Sequence, residues 1–163
     1  MSNSDPAFAA RSRVQGYAFA VALVFVMIGA LGFVPGLTSN YSTIMRVGAD
    51  SQAHLLGLFQ VSAVHNVVHL VFGAVGLLAA RRLTWSRIYL LLGGGVYLGL
   101  VAYGIIIEHH SATNVLPVNN ADNWLHGALG AVMVLLAVYP GGRTRPLLPG
   151  SVPRRRWPRP RRR

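Results

Sequence analysis

The sequence predicts an all-α fold, an integral membrane bundle of four transmembrane helices with both termini cytoplasmic. Three observations lead there. Four apolar runs, Val14–Phe33, Val61–Ala80, Ile88–Ile107 and Asp122–Gly141, carry almost no charge between their ends. An uncharged stretch of roughly 18 residues or more spans the ~30 Å hydrocarbon layer as a helix. The composition, 53% hydrophobic and only 12% charged, is too apolar for a water-soluble domain of this size. The 15 basic residues are all arginine, and all but one fall on the same side of the chain's to-and-fro path. Arg11 and Arg13 precede the first run, Arg81, Arg82 and Arg87 lie between the second and third, and Arg143, Arg145 and a terminal cluster follow the fourth. Positive charge near span ends stays cytoplasmic. The segments 34–60 and 108–121, with Arg46 the lone arginine among them, then face outward.

A chain of 163 residues suits one compact unit. We divide it into a disordered cytoplasmic N-terminus (1–13), a four-helix transmembrane domain (14–140) and a disordered Arg/Pro-rich cytoplasmic tail (141–163). The chain contains no cysteine, so disulfides, thiolate metal sites and cysteine catalysis are excluded.

The first run has the basic start and apolar core of a signal peptide, but it is longer than a usual signal core. The segment Val34-Pro35-Gly36-Leu37-Thr38-Ser39-Asn40 also lacks a small-x-small cleavage pattern, so the run is read as a retained helix ending at Pro35-Gly36. The second helix is expected to begin near Asp50-Ser51, where either side chain can cap free amides. Uninterrupted to Ala80, it would reach ~45 Å at ~1.5 Å per residue. The third run carries Gly93-Gly94-Gly95 and Gly104, expected to permit close helix packing. Before the fourth, Asn119 or Asn120 is the expected cap and Asp122 suits the first turn. Trp124 is expected at headgroup level.

Ionisable residues inside spans are costly and call for a partner or a purpose. Measured from the flanking arginines, His65 and His126 fall at matching depth near the outer face, with His69 one turn deeper than His65. On a continuous second helix, His54, Ser62, His65, Asn66 and His69 would share one face. On the fourth, Asp122 and Asn123 precede His126 by four and three residues, where they could orient its imidazole. The expectation from these spacings is a buried polar network of His54, Ser62, Asn66, Asp122 and Asn123 with the three histidines, hydrogen-bonded across helices. The alternative is a transition-metal or haem site with His65, His69 and His126 as ligands, because neutral imidazole suits such metals. A weaker alternative is a small transporter or proton path lined by His54, His65, His69 and Glu108.

The tail from Gly141 holds nine arginines and five prolines. Its end, with Arg154, Arg155, Arg156, Trp157, Arg159, Arg161, Arg162 and Arg163, is expected to lie on anionic headgroups, each arginine near such a surface contributing about 1 kcal/mol. Tethering to the bilayer favours lipid over nucleic acid as its partner. A homo-oligomer or another membrane protein is a further expected partner.

Several segments resemble a family of small four-helix membrane proteins, domain of unknown function 4383, found mainly in actinobacteria. The likeness rests on Gly57-Leu58-Phe59-Gln60-Val61-Ser62, on His65-Asn66-Val67-Val68-His69-Leu70 with Gly73 and Gly76, and on Pro117-Val118-Asn119 with Ala121-Asp122-Asn123-Trp124-Leu125-His126. Gly32-Phe33-Val34-Pro35-Gly36 with Thr38, Asn40 and Tyr41 also fits, so the resemblance covers about residues 14–140. It implies four spans and supplies no catalytic residues. With no nucleophile–base pair, phosphate loop or cofactor fingerprint in the chain, the expected role is that of a structural or accessory, non-enzymatic component of the inner (plasma) membrane, crossing it several times.

Overall fold

The computed structural model describes residues 12–47, 50–107 and 118–139. Residues 1–11 of the N-terminus expected to be disordered, Glu108 and the arginine-rich tail expected on lipid lie outside them, whereas Ser12 and Arg13 belong to the ordered start of the first helix. Four helices run α1 (Arg13–Leu31), α2 (Ala63–Ala79), α3 (Leu83–Ile106) and α4 (Asn120–Val138). Helices α1, α3 and α4 are long and apolar enough to cross a membrane, and α2 is a shorter apolar helix. Large apolar side chains such as Met27, Leu78, Leu92, Val96 and Leu135 point outward, as a bundle solvated by lipid requires. The chain is a four-helix membrane bundle.

The second helix differs from its sequence expectation. It does not start near Asp50 but at Ala63, with Ser62 as N-cap accepting from the His65 amide at 3.2 Å. Its 17 residues reach only ~26 Å. Residues before it fold into a small antiparallel sheet of β1 (Thr38–Ser39), β2 (His54–Leu55) and β3 (Phe59–Gln60), in the order β1-β2-β3. The break lies at Leu56-Gly57, both at positive φ (53° and 71°), which a helix cannot contain. Arg87 also leaves its predicted loop, because α3 already begins at Leu83 and the link from α2 is only 80–82.

Helix α1 opens with a capping box between Ser12 and Gln15, and the Gln15 amide also donates to the Ala80 and Arg81 carbonyls at 3.2 and 3.0 Å. This ties the start of α1 to the end of α2. Along their length the two helices touch backbone to backbone. A Cβ at Gly73 would stand 2.8 Å from the Ala22 carbonyl oxygen. Helices α3 and α4 meet equally closely at Gly94 and Gly130. The bundle is thus two tight pairs, α1 with α2 and α3 with α4, that touch each other far less extensively.

Two apolar clusters fill the interior, and only the first of them joins the two pairs. One, at the end away from the sheet, gathers Val14, Ala18, Phe25, Tyr89, Leu90, Tyr97, Met133 and Ala137. The other, beneath the sheet, is Ala53, Leu55 and Val61 against Ile28, Leu31 and Phe59. Between the two clusters lie the histidines.

Candidate functional site

His65 and His69 sit one turn apart on α2, their ring centroids 4.6 Å apart. His126 on α4 faces them across the gap between the pairs, 6.4 Å from the His65 ring. All three are buried. Phe25 of α1 lies 5.6 Å from His69, and Tyr97 of α3 stands edge-on to His126 at 5.0 Å. Every helix therefore contributes a ring to one cluster.

The cluster borders two voids. A cavity of about 230 Å³ opens toward α1 and α4 beneath the sheet, with His65, His69, Tyr97, Asp122 and His126 in its wall. A smaller one of about 50 Å³, on the α2–α3 side, shares His65, His69, Tyr97 and His126. The larger falls below the ~300–1,000 Å³ of sites that hold drug-sized molecules. A tetrapyrrole is larger than this cavity. Several waters, a small molecule or a metal ion fit.

The buried Nδ1 atoms of His69 and His126 have no hydrogen-bond partner among the described residues. Among the described residues, no group of three His, Asp or Glu side chains stands arranged to hold a metal ion. Three imidazoles on one tetrahedral ion at ~2.0–2.1 Å would bring their centroids to roughly 5 Å from one another. The His65–His69 separation of 4.6 Å lies below that value and the His65–His126 separation of 6.4 Å above it.

The remaining predicted network residues scatter. His54 lies on β2, its Nδ1 2.8 Å from the Gln52 carbonyl oxygen, because the chain before Ala63 is sheet and the helical stripe does not extend to it. Ser62 caps α2. Asn66 is fully buried against Gly32, the C-cap of α1, and neither end of its amide has a hydrogen-bond partner among the described residues. Asn123 packs on Gly104 of α3 with its Oδ1 likewise unpartnered. Trp124 is 82% exposed on the outer side of α4.

Asp122 does something other than orient His126. It closes a capping box with Asn119, accepting from the Asn119 amide at 2.9 Å while Asn119 Oδ1 accepts from the Asp122 amide at 3.0 Å. The same carboxylate oxygen, Oδ2, accepts from the Gln60 amide of β3 at 3.1 Å. Asn119 Nδ2 donates to the Leu58 carbonyl at 2.8 Å. The start of α4 is thereby fastened to the sheet.

Sequence reasoning passed over Tyr97, Gln60 and the second role of Asn119. A signal for Tyr97 existed, since Tyr89, Gly93 and Tyr97 recur every four residues and all three are buried along one face of α3. Nothing local marks the Gln60 amide as the partner of a carboxylate 62 residues away.

No curated protein and no solved structure matches the chain. A family model described as Domain of unknown function (DUF4383) matches residues 15–139, which take in α1 from its third residue, the other three helices, the sheet and the histidine cluster. By this match over most of its length, the chain belongs to the DUF4383 family.

Proposed function

We propose that the protein is a multi-pass binding protein of the inner (plasma) membrane, whose working part is the histidine cavity, and that this cavity takes one transition-metal ion. The observation that carries this reading is the pair of buried Nδ1 atoms of His69 and His126, without a partner among the described residues, on the wall of one cavity. Burying a polar group without a hydrogen bond costs roughly 1–3 kcal/mol. A bundle held together by these imidazoles would pair them with one another or with backbone. A metal ion repays the cost by taking the free lone pairs, and neutral imidazole suits zinc, copper or nickel. His65 and His69, one turn apart on α2, would supply two ligands from one rigid helix, and His126 a third from α4.

The accessory, bundle-holding role is the second reading. It is favoured by the hydrogen bonds from the α4 cap to the sheet, which are structural ties close to the same cavity. Metal analysis of detergent-purified protein separates the two. We expect close to one equivalent of a transition metal in the wild type and little in a His65→Ala/His126→Ala variant of equal fold. Equal, negligible metal in both after loading with Zn²⁺, Cu²⁺ or Ni²⁺ would refute the metal reading and leave the structural one.

A further inference from the structure

We propose that Asn119 and Asp122 form a clamp that holds the histidine cavity shut at the sheet end of the bundle, and that releasing it admits solutes from that side. The inference rests on reading the cavity as a binding site; its test does not require metal.

The two helix pairs are joined unequally at their two ends. Away from the sheet they share a dense apolar core in which Val14, Ala18, Leu90 and Met133 are completely buried. Toward the sheet they are separated by the 230 Å³ cavity. The three-stranded sheet belongs to the first pair, for it is strung between α1 and α2. Its strand β3 crosses to the second pair through two hydrogen bonds, Gln60 N–H to Asp122 Oδ2 at 3.1 Å and Asn119 Nδ2 to the Leu58 carbonyl at 2.8 Å. Both partners on α4 are also the two halves of its capping box. Among the described residues, the bundle thus has a packed end suited to act as a hinge and a hollow end bridged by polar contacts.

Backbone strain lies at the same place. The hairpin tip between β2 and β3 holds Leu56 at φ 53°, a conformation leucine rarely adopts, while its side chain is 60% exposed and also lines the cavity. Strained backbone persists where the surroundings hold it, and it collects at sites that move or bind. Here the Leu58 carbonyl, two residues along, is what Asn119 grips. Val61, just beyond β3, is 2% exposed and lines the cavity, so it reports whether the clamp is closed.

The chain's lack of cysteine makes the test direct. Val61→Cys in the full-length, detergent-purified protein is labelled with a charged, water-soluble methanethiosulfonate. Asn119→Ser is then added; serine still caps α4, but its shorter side chain does not reach the Leu58 carbonyl. Loss of one such hydrogen bond should raise the open population, and so the labelling rate, about 2- to 10-fold. Asp122→Asn, which weakens the grip on Gln60, should act in the same direction. Met133→Cys, in the packed end, should label slowly in every background.

Faster labelling at Val61→Cys alone supports the clamp. An unchanged rate in both clamp variants overturns it, as does fast labelling with the clamp intact. Parallel acceleration at Met133→Cys signals general loosening and also counts against it. A clamp that passes while metal binding fails, or the converse, shows which of the two proposals was wrong.

Discussion

The three consecutive glycines of α3 provide a stringent check on the packing, because each faces a different environment. A Cβ at Gly94 would lie 2.9 Å from the Gly130 carbonyl oxygen, 2.8 Å from Val134 Cγ2 and 3.2 Å from the Val134 amide nitrogen. Two of these are α4 backbone atoms and cannot rotate away. Relief requires α3 and α4 to part by about half an ångström, and such overpacking typically costs about 1–3 kcal/mol. At Gly93 the neighbours at 2.6 Å are Met133 Cε and Phe72 Cζ, the far ends of side chains. Methionine adapts readily, so Gly93→Ala should cost less than Gly94→Ala. Gly95 has nothing within 4 Å of a new Cβ. Alanine there gains helix propensity, up to about 1 kcal/mol in water. The expected stability order is Gly95→Ala at or above wild type, then Gly93→Ala, then Gly94→Ala, with about 1–4 kcal/mol between the extremes. Equilibrium unfolding in mixed micelles, followed by far-UV circular dichroism, would measure it. If Gly95→Ala destabilised the protein as much as Gly94→Ala, the assignment of Gly95 to an open face would be wrong, and with it the α3–α4 register.

Two smaller changes test the elements that set up the site. Ser62→Ala removes the α2 cap and should lower stability by about 1 kcal/mol in the same unfolding assay, with Ser62→Asp largely preserving it; no loss in the alanine variant would mean that the helix does not start there. Leu56→Gly relieves the positive φ at an exposed position. It should stabilise by up to about 1 kcal/mol, because relief of roughly 1–2 kcal/mol outweighs the greater chain entropy of glycine; marked destabilisation would show that the leucine side chain matters more than its backbone.

Much of the architecture is written locally. Long apolar runs leave no choice but helix in lipid, since every backbone amide must then bond within its own segment. Sites of close packing were legible from Gly93-Gly94-Gly95, although only the tertiary structure decides that Gly94 meets α4 while Gly95 meets nothing. The start of α2 was misread for an equally physical reason. Residues 50–62 contain no proline, and a scattered glycine is tolerated within a helix, so only the positive φ values at Leu56 and Gly57 reveal the hairpin. The histidines follow the same division. Periodicity puts His65 and His69 on one face of one helix, because spacing along a helix is fixed by its geometry. That His126 comes to them, that Asp122 turns to Gln60 instead, and that a cavity remains between them depend on how two helix pairs meet. Such long-range contacts are set by the packing of the whole bundle, and no window of sequence contains them.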